Sequence, residues 1–168
     1  APAAAPRVVL PRVQDVEYDV EHHGEDLYVR INDTGRNFRL VRMPVGDTRK
    51  SAWTEVLPHR ADVMLEGTDF FREFWVAHER ANGLERMRVT RLADGASHEI
   101  AFPEPAYTAY ATGNPEFDTR TLRYAYQSLV TPPSVFDYDM ATRQATLLKE
   151  TEVLGGYDRT AYASERIW

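Results

Sequence analysis

Apolar and polar residues alternate with a period of two in three well-separated stretches. They are Asp26-Leu27-Tyr28-Val29-Arg30-Ile31, Glu73-Phe74-Trp75-Val76-Ala77-His78 and Thr121-Leu122-Arg123-Tyr124-Ala125-Tyr126. This period sends successive side chains to opposite faces, as in a β-strand. Tyr28, Trp75 and Tyr124 hold equivalent places and lie 47 and 49 residues apart. Each stretch is followed by a second strand-like run: Phe38–Met43, Glu85–Thr90 and Val135–Met140. The connecting turns hold Asn32-Asp33-Thr34-Gly35, Ala81-Asn82-Gly83 and Thr131-Pro132-Pro133, the first two rich in residues that tolerate positive φ. A further run follows each pair (Ala52–Val56, His98–Phe102, Ala145–Leu148), and another precedes it (Val16–Val20, Asp62–Leu65, Tyr107–Tyr110).

Four short antiparallel strands repeating in this way are the signature of a propeller blade, which buries its faces only by stacking on neighbours. A β-sandwich of about twelve strands has the same strand count. Regular unit length and one strand order repeated three times favour the propeller. The fold class expected is therefore all-β, a partial β-propeller of about three four-stranded antiparallel blades, near residues 16–56, 62–102 and 106–149. Residues 1–15 are expected as an extended leading segment. The best helix candidate, residues 68–80, alternates better than it turns.

Composition narrows the function. Apolar residues make up 43% and charged residues 27%, enough for a packed core. Aromatics at 11% suit a pleated surface. The net charge is −6 and no Lys/Arg cluster stands out, which argues against nucleic acid as a partner. No apolar run is long enough for a membrane-spanning helix, so no membrane partner is expected. With no cysteine there is no disulfide, thiolate metal site or Cys nucleophile. No cofactor motif is present: phosphate loops and dinucleotide fingerprints are missing. The cytoplasm is the expected compartment, and cysteine usage leaves the periplasm open. The first residue is not Met, and Ser164-Glu165-Arg166-Ile167-Trp168 is strand-like in composition, so the sequence reads as a segment of something longer.

Several short motifs imitate chemistry. Asp33-Thr34-Gly35 matches the loop of aspartic proteases, yet Asn32 stands where an apolar residue belongs, and a hairpin turn is needed there. Gly95-Ala96-Ser97-His98-Glu99 nearly reads as a nucleophile elbow, but ends in Glu99 and lies between two strands rather than before a helix. Ser164 fits that elbow even less. His22 and His23 are adjacent on an extended run and point to opposite faces, which suits a turn better than a metal site. Asn32-Asp33-Thr34 fits a glycosylation sequon with no other secretory signal. Catalytic, cofactor and metal residues are thus all expected to be absent.

Three segments carry a resemblance. Val16-Glu17-Tyr18-Asp19-Val20-Glu21-His22 leads to Asn37-Phe38-Arg39-Leu40. Leu122–Pro132 is followed by Val135-Phe136-Asp137-Tyr138-Asp139-Met140, and Leu147–Val153 runs through Gly155-Gly156-Tyr157 to Tyr162–Arg166. Together they resemble the oligopeptidase B (protease II) branch of the prolyl oligopeptidase family of serine peptidases, over nearly the whole chain from about Val13. That resemblance implies the last blades of a propeller that covers an α/β-hydrolase domain bearing a Ser-Asp-His triad. It implies that residues 150–168 form a hinge and C-terminal linker strand returning to that domain, with Gly155 and Gly156 as hinge candidates. The triad and the acidic residues that select Arg or Lys lie beyond Trp168 in the family, so none maps here. The implied partners are the hydrolase domain of the same parent chain and, for the parent enzyme, short basic peptides. Blades without their neighbours also imply possible self-association. The main rival is a free-standing propeller-type module that binds a peptide or protein; a remoter one is a dimeric aspartic peptidase using Asp33.

Overall fold

The computed structural model describes residues 5–167. Its twelve strands form three four-stranded antiparallel sheets, each in sequence order. The chain divides into two compact units, Ala1–Ala61 and Asp62–Trp168.

The first unit holds β1 (Tyr18–His23), β2 (Asp26–Ile31), β3 (Arg39–Pro44) and β4 (Thr54–Leu57). The alternation around Tyr28 places it on β2, an inner strand paired on both sides. Leu27, Val29 and Ile31 share a face with Val41 and Met43, and this face is covered by Val9 and Leu10 from the segment before the sheet. Tyr18 Oη fixes that segment by donating to the Leu10 carbonyl at 2.9 Å. Burying such side chains contributes about 1.5–3 kcal/mol each. In the β2–β3 turn the positive φ falls on Phe38 (φ 61), beneath the Arg30 guanidinium at 3.5 Å from its ring. Gly35 serves close approach instead: a Cβ there would lie 2.3 Å from His59 Nε2.

The second unit holds β5 (Val63–Phe70), β6 (Phe74–Ala81), β7 (Leu84–Arg91), β8 (Ser97–Glu99), β9 (Tyr107–Ala111), β10 (Thr121–Ser128), β11 (Ser134–Asp139) and β12 (Gln144–Glu150). Trp75 and Tyr124 lie on the inner strands β6 and β10. Residues 68–80 form no helix; they span the β5–β6 hairpin, where Phe70 stacks on Trp75 at 5.8 Å. Asn82 and Gly83 both take positive φ in the β6–β7 turn, as a two-residue hairpin demands. The core between the two sheets joins Phe71, Phe74, Val76, Met87 and Val89 to Leu122, Tyr124, Tyr126, Tyr138 and Met140. These are the inward positions of the alternation.

Two details differ from the sequence pattern. β8 stops at Glu99, because Ile100 and Phe102 turn in to the core, Phe102 stacking on Tyr126 at 5.5 Å. The linker after β12 forms no strand among the described residues. It carries a 3-10 turn at Arg159–Ala161 and pairs with no ladder, so strand-like composition alone does not make a strand there. Among the described residues no helix is long and apolar enough to cross a membrane.

Candidate functional site

The motifs that imitate catalysis fall in differing surroundings. Asp33 lies in the β2–β3 turn and receives the Arg39 guanidinium at 2.8 Å. Hydrogen bonding from Arg39 holds its carboxyl below the ordinary value despite partial burial, and Lys50 adds to the effect. A carboxylate kept charged by an arginine is poorly suited to sharing a proton with a second Asp. Ser97 is exposed at the start of β8, while the next residue, His98, turns its Nε2 to Tyr138 Oη at 2.8 Å. Burial lowers the His98 pKa, assisted by Arg143 and Arg91. Ser128 Oγ is occupied as acceptor from the Val130 and Thr131 amides, at 2.9 and 2.7 Å. Ser164 is buried with its Oγ unpaired.

One base–carboxylate pair does exist. His78 Nε2 and Asp69 lie 2.9 Å apart across β5 and β6. They line a groove of about 320 Å³ with Glu66, Arg80, Glu85 and Tyr110. The hydroxyl groups of this groove are Tyr110 and Thr112, and the latter donates to the Arg123 carbonyl. No serine lines it, so the pair has no serine to activate. Arg80 bridges Glu66 and Glu85 at 2.6 and 2.9 Å, which leaves the groove a satisfied ion-pair lattice. Deeper still, Glu79 is fully buried and accepts from Arg88 Nη2 at 3.0 Å. Sequence reading misses this pair, because Glu79 sits among polar residues at the end of a strand.

Among the described residues no group of three or more His, Cys, Asp or Glu is placed to hold a metal. His22 bonds the Gly24 carbonyl at 2.8 Å, and His23 meets the edge of Tyr28.

The segment after β12 is the part with the most mechanical character. Gly155 (φ 87) and Gly156 (φ 72) make a turn closed by the Gly156 N–H on the Val153 carbonyl at 2.9 Å. Positive φ is available to glycine without strain. Tyr157 Oη then donates to the Val130 carbonyl at 2.7 Å and accepts from Arg159 Nε at 3.0 Å. Arg159 also pairs with Glu150, and Arg166 reaches the Asn82 carbonyl of the β6–β7 turn. The segment therefore crosses from the end of β12 to both inner hairpin turns of its unit, held at a few polar points.

Comparison with known proteins gives one consistent answer. A family model described as the prolyl oligopeptidase N-terminal β-propeller domain matches residues 1–151. Dipeptidyl aminopeptidase BI of Pseudoxanthomonas mexicana is 40% identical over 171 residues, covering 99% of this chain and 23% of that protein. Protease 2 of Moraxella lacunata is 30% identical, covering 100% of this chain and 24% of its own length. The solved structure of oligopeptidase B from Leishmania major superposes with a TM-score of 0.83 at 31% identity, over 95% of this chain and 24% of that one. The chain thus spans about a quarter of the length of these relatives.

Proposed function

Because the chain belongs to the prolyl oligopeptidase N-terminal β-propeller family, we propose that it forms part of the lid of a serine oligopeptidase that cuts short peptides after Arg or Lys. The observation that carries this reading is the family match over residues 1–151, laid on three four-stranded antiparallel sheets. In this reading chemistry belongs to an α/β-hydrolase domain of the same parent chain. Acyl transfer through a serine ester would proceed there under cover of the propeller, away from bulk water, with large folded proteins kept out. Residues 150–168 are the hinge, with Gly155 and Gly156 absorbing rotation as the lid moves.

A second reading concerns what the parent releases. The 40% identity to a dipeptidyl aminopeptidase favours removal of dipeptides from a free N-terminus over internal cleavage. A polypeptide extended past Trp168 to include a Gly-x-Ser-x-Gly strand–turn–helix separates the two. Cleavage of N-blocked Arg and Lys substrates supports the first; cleavage only of unblocked ones supports the second. No hydrolase domain encoded after Trp168 leaves instead a free-standing binding module. The 168-residue chain itself should hydrolyse neither substrate, and a serine-directed phosphonate should leave Ser97, Ser128 and Ser164 unlabelled.

A further inference from the structure

β8 is the outermost strand of the second sheet and its shortest, with three residues paired to Arg88–Thr90 of β7. Ser97 and Glu99 are exposed, and His98 between them turns toward the third sheet. Its Nε2 lies 2.8 Å from Tyr138 Oη on β11, with the two rings 6.0 Å apart and Tyr138 buried. Directly after β8, the Ile100 N–H bonds the Met87 carbonyl at 2.9 Å, and the Ile100 side chain enters the core shared by both sheets. Two other polar ties cross this junction. Tyr107 Oη donates to the Glu85 carbonyl at 2.9 Å, and the Arg72 N–H donates to the Phe117 carbonyl at 2.9 Å. Neither donor changes charge between about pH 5 and 8, whereas an imidazole does.

The surroundings of His98 favour the neutral ring. Val89 faces it across the ladder, so Arg91, two residues on, lies diagonally on the same face of the sheet. Arg143 stands in the turn that follows Tyr138, with its N–H on the Asp139 carbonyl at 2.8 Å. The carboxylates of these elements are engaged elsewhere. Asp94 meets Arg91 at 3.1 Å, Glu99 meets Arg88 at 3.2 Å, and Asp139 Oδ1 accepts the Ala141 and Thr142 amides at 2.8 Å. We propose that His98 and Tyr138 form a pH-sensitive latch between the second and third sheets, closed while the imidazole is neutral and loosened when it is protonated. In the closed latch Nε2 accepts the phenol proton; an imidazolium is a donor at both nitrogens and cannot accept it. Burial lowers the His98 pKa, and Arg143 and Arg91 lower it further. A folded value below the unfolded one of about 6.5 fixes the sign. The latch contributes fully above that unfolded value and weakens as pH falls from it toward the folded one. Acid thus loosens β8 and Ile100, the outer edge of the second sheet.

Hydrogen exchange at the Ile100 amide of the 168-residue chain, corrected for its intrinsic dependence on pH, reads the latch. The Ser128 amide, bonded to the Thr131 carbonyl at 3.0 Å, serves as reference. From about pH 8 to about pH 5, protection of Ile100 relative to Ser128 should fall about fivefold, the loss of one net hydrogen bond. His98→Gln should abolish this step. Tyr138→Phe should lower protection already at the upper pH and flatten the step. No step in wild type, a step that persists in His98→Gln, or wild-type protection in Tyr138→Phe would each overturn the proposal. Where a variant fails to fold, the wild type decides. Its His98 ring, followed by NMR, should titrate below about 6.5 and over the same range as the Ile100 step. A ring value at or above that, or a step in a different range, would overturn the latch.

Discussion

Asp33 and Arg39 face each other across the β2–β3 turn as a bidentate pair, Oδ1 to Nε at 2.8 Å and Oδ2 to Nη2 at 3.0 Å. Their side chains are only 10% and 17% exposed. Such a fork–fork pair fixes geometry as well as charge, and it accounts for a motif that otherwise imitates a protease loop.

Replacing Asp33 by Asn should therefore cost the first unit about 1–3 kcal/mol, with no hydrolytic activity gained or lost. The sign with pH follows from the lowered carboxyl pKa. The pair stabilises the fold above the unfolded carboxyl value of about 3.9, and that stability is lost as pH falls through the lower folded value. Urea midpoints of wild type and Asp33→Asn should differ at neutral pH and converge as pH falls through that value. A constant gap between them at all pH values would refute the ion-pair account.

Neighbours on β10 should behave oppositely. Leu122 is fully buried in the core of the second unit, and Leu122→Ala should cost about 2–5 kcal/mol through transfer and cavity terms. Arg123 is next in sequence but on the open face, its side chain half exposed and paired with Asp137 at 2.7 Å. Arg123→Ala should cost far less than Leu122→Ala, because solvent screens the pair. Comparable losses at both positions would mean that the two faces of the third sheet are covered alike.

This contrast also explains what the sequence could disclose. Faces are legible wherever burial is one-sided: Leu122, Tyr124 and Tyr126 alternate with Arg123, Ala125 and Gln127, and the period announces the strand. β6 is legible from Phe74 to Ala77 alone, since beyond it the polar run His78-Glu79-Arg80 hides a buried carboxylate. Arg88 reaches Glu79 from the adjacent strand, and pairing across strands leaves no local mark. The same holds for Glu104 and Thr131, brought together by loops 27 residues apart. Nor could composition show that residues 151–167 lack a ladder partner, because pairing depends on what lies alongside.

The anchoring of that last segment is measurable. Tyr157→Phe removes a donor to the Val130 carbonyl and an acceptor for Arg159. Amide exchange at residues 156–162 should rise about fivefold, while the sheets stay protected. Gly155→Ala places a side chain at φ 87, a region that disfavours L residues, at a cost of about 1 kcal/mol or more. Exchange unchanged in both variants would show that the polar points do not hold the segment.

Self-association is the last expectation, and the third sheet offers the surface for it. β12 is an outer strand, exposed at every position from Gln144 to Lys149, with Leu147 and Leu148 about half exposed. Its ladder with β11 carries a bulge between Val135 and Phe136, and irregular, charged edges resist pairing with another strand. The open face is the better surface. There Tyr110, 56% exposed, borders a groove of about 310 Å³ with Ala125, Gln127, Val135 and Lys149. Covering ~400 Å² of apolar area would contribute on the order of 10 kcal/mol. Lost rigid-body freedom costs about 4–15 kcal/mol, so the balance lies near zero to modestly favourable. We therefore expect a concentration-dependent monomer–dimer equilibrium in sedimentation, shifted to monomer by Val135→Glu and left in place by Leu148→Glu. The reverse order of the two variants would assign association to the edge. A strictly monomeric 19.3 kDa species at high concentration would show that the polar members of the face, Arg123, Asp137 and Lys149, keep it solvated.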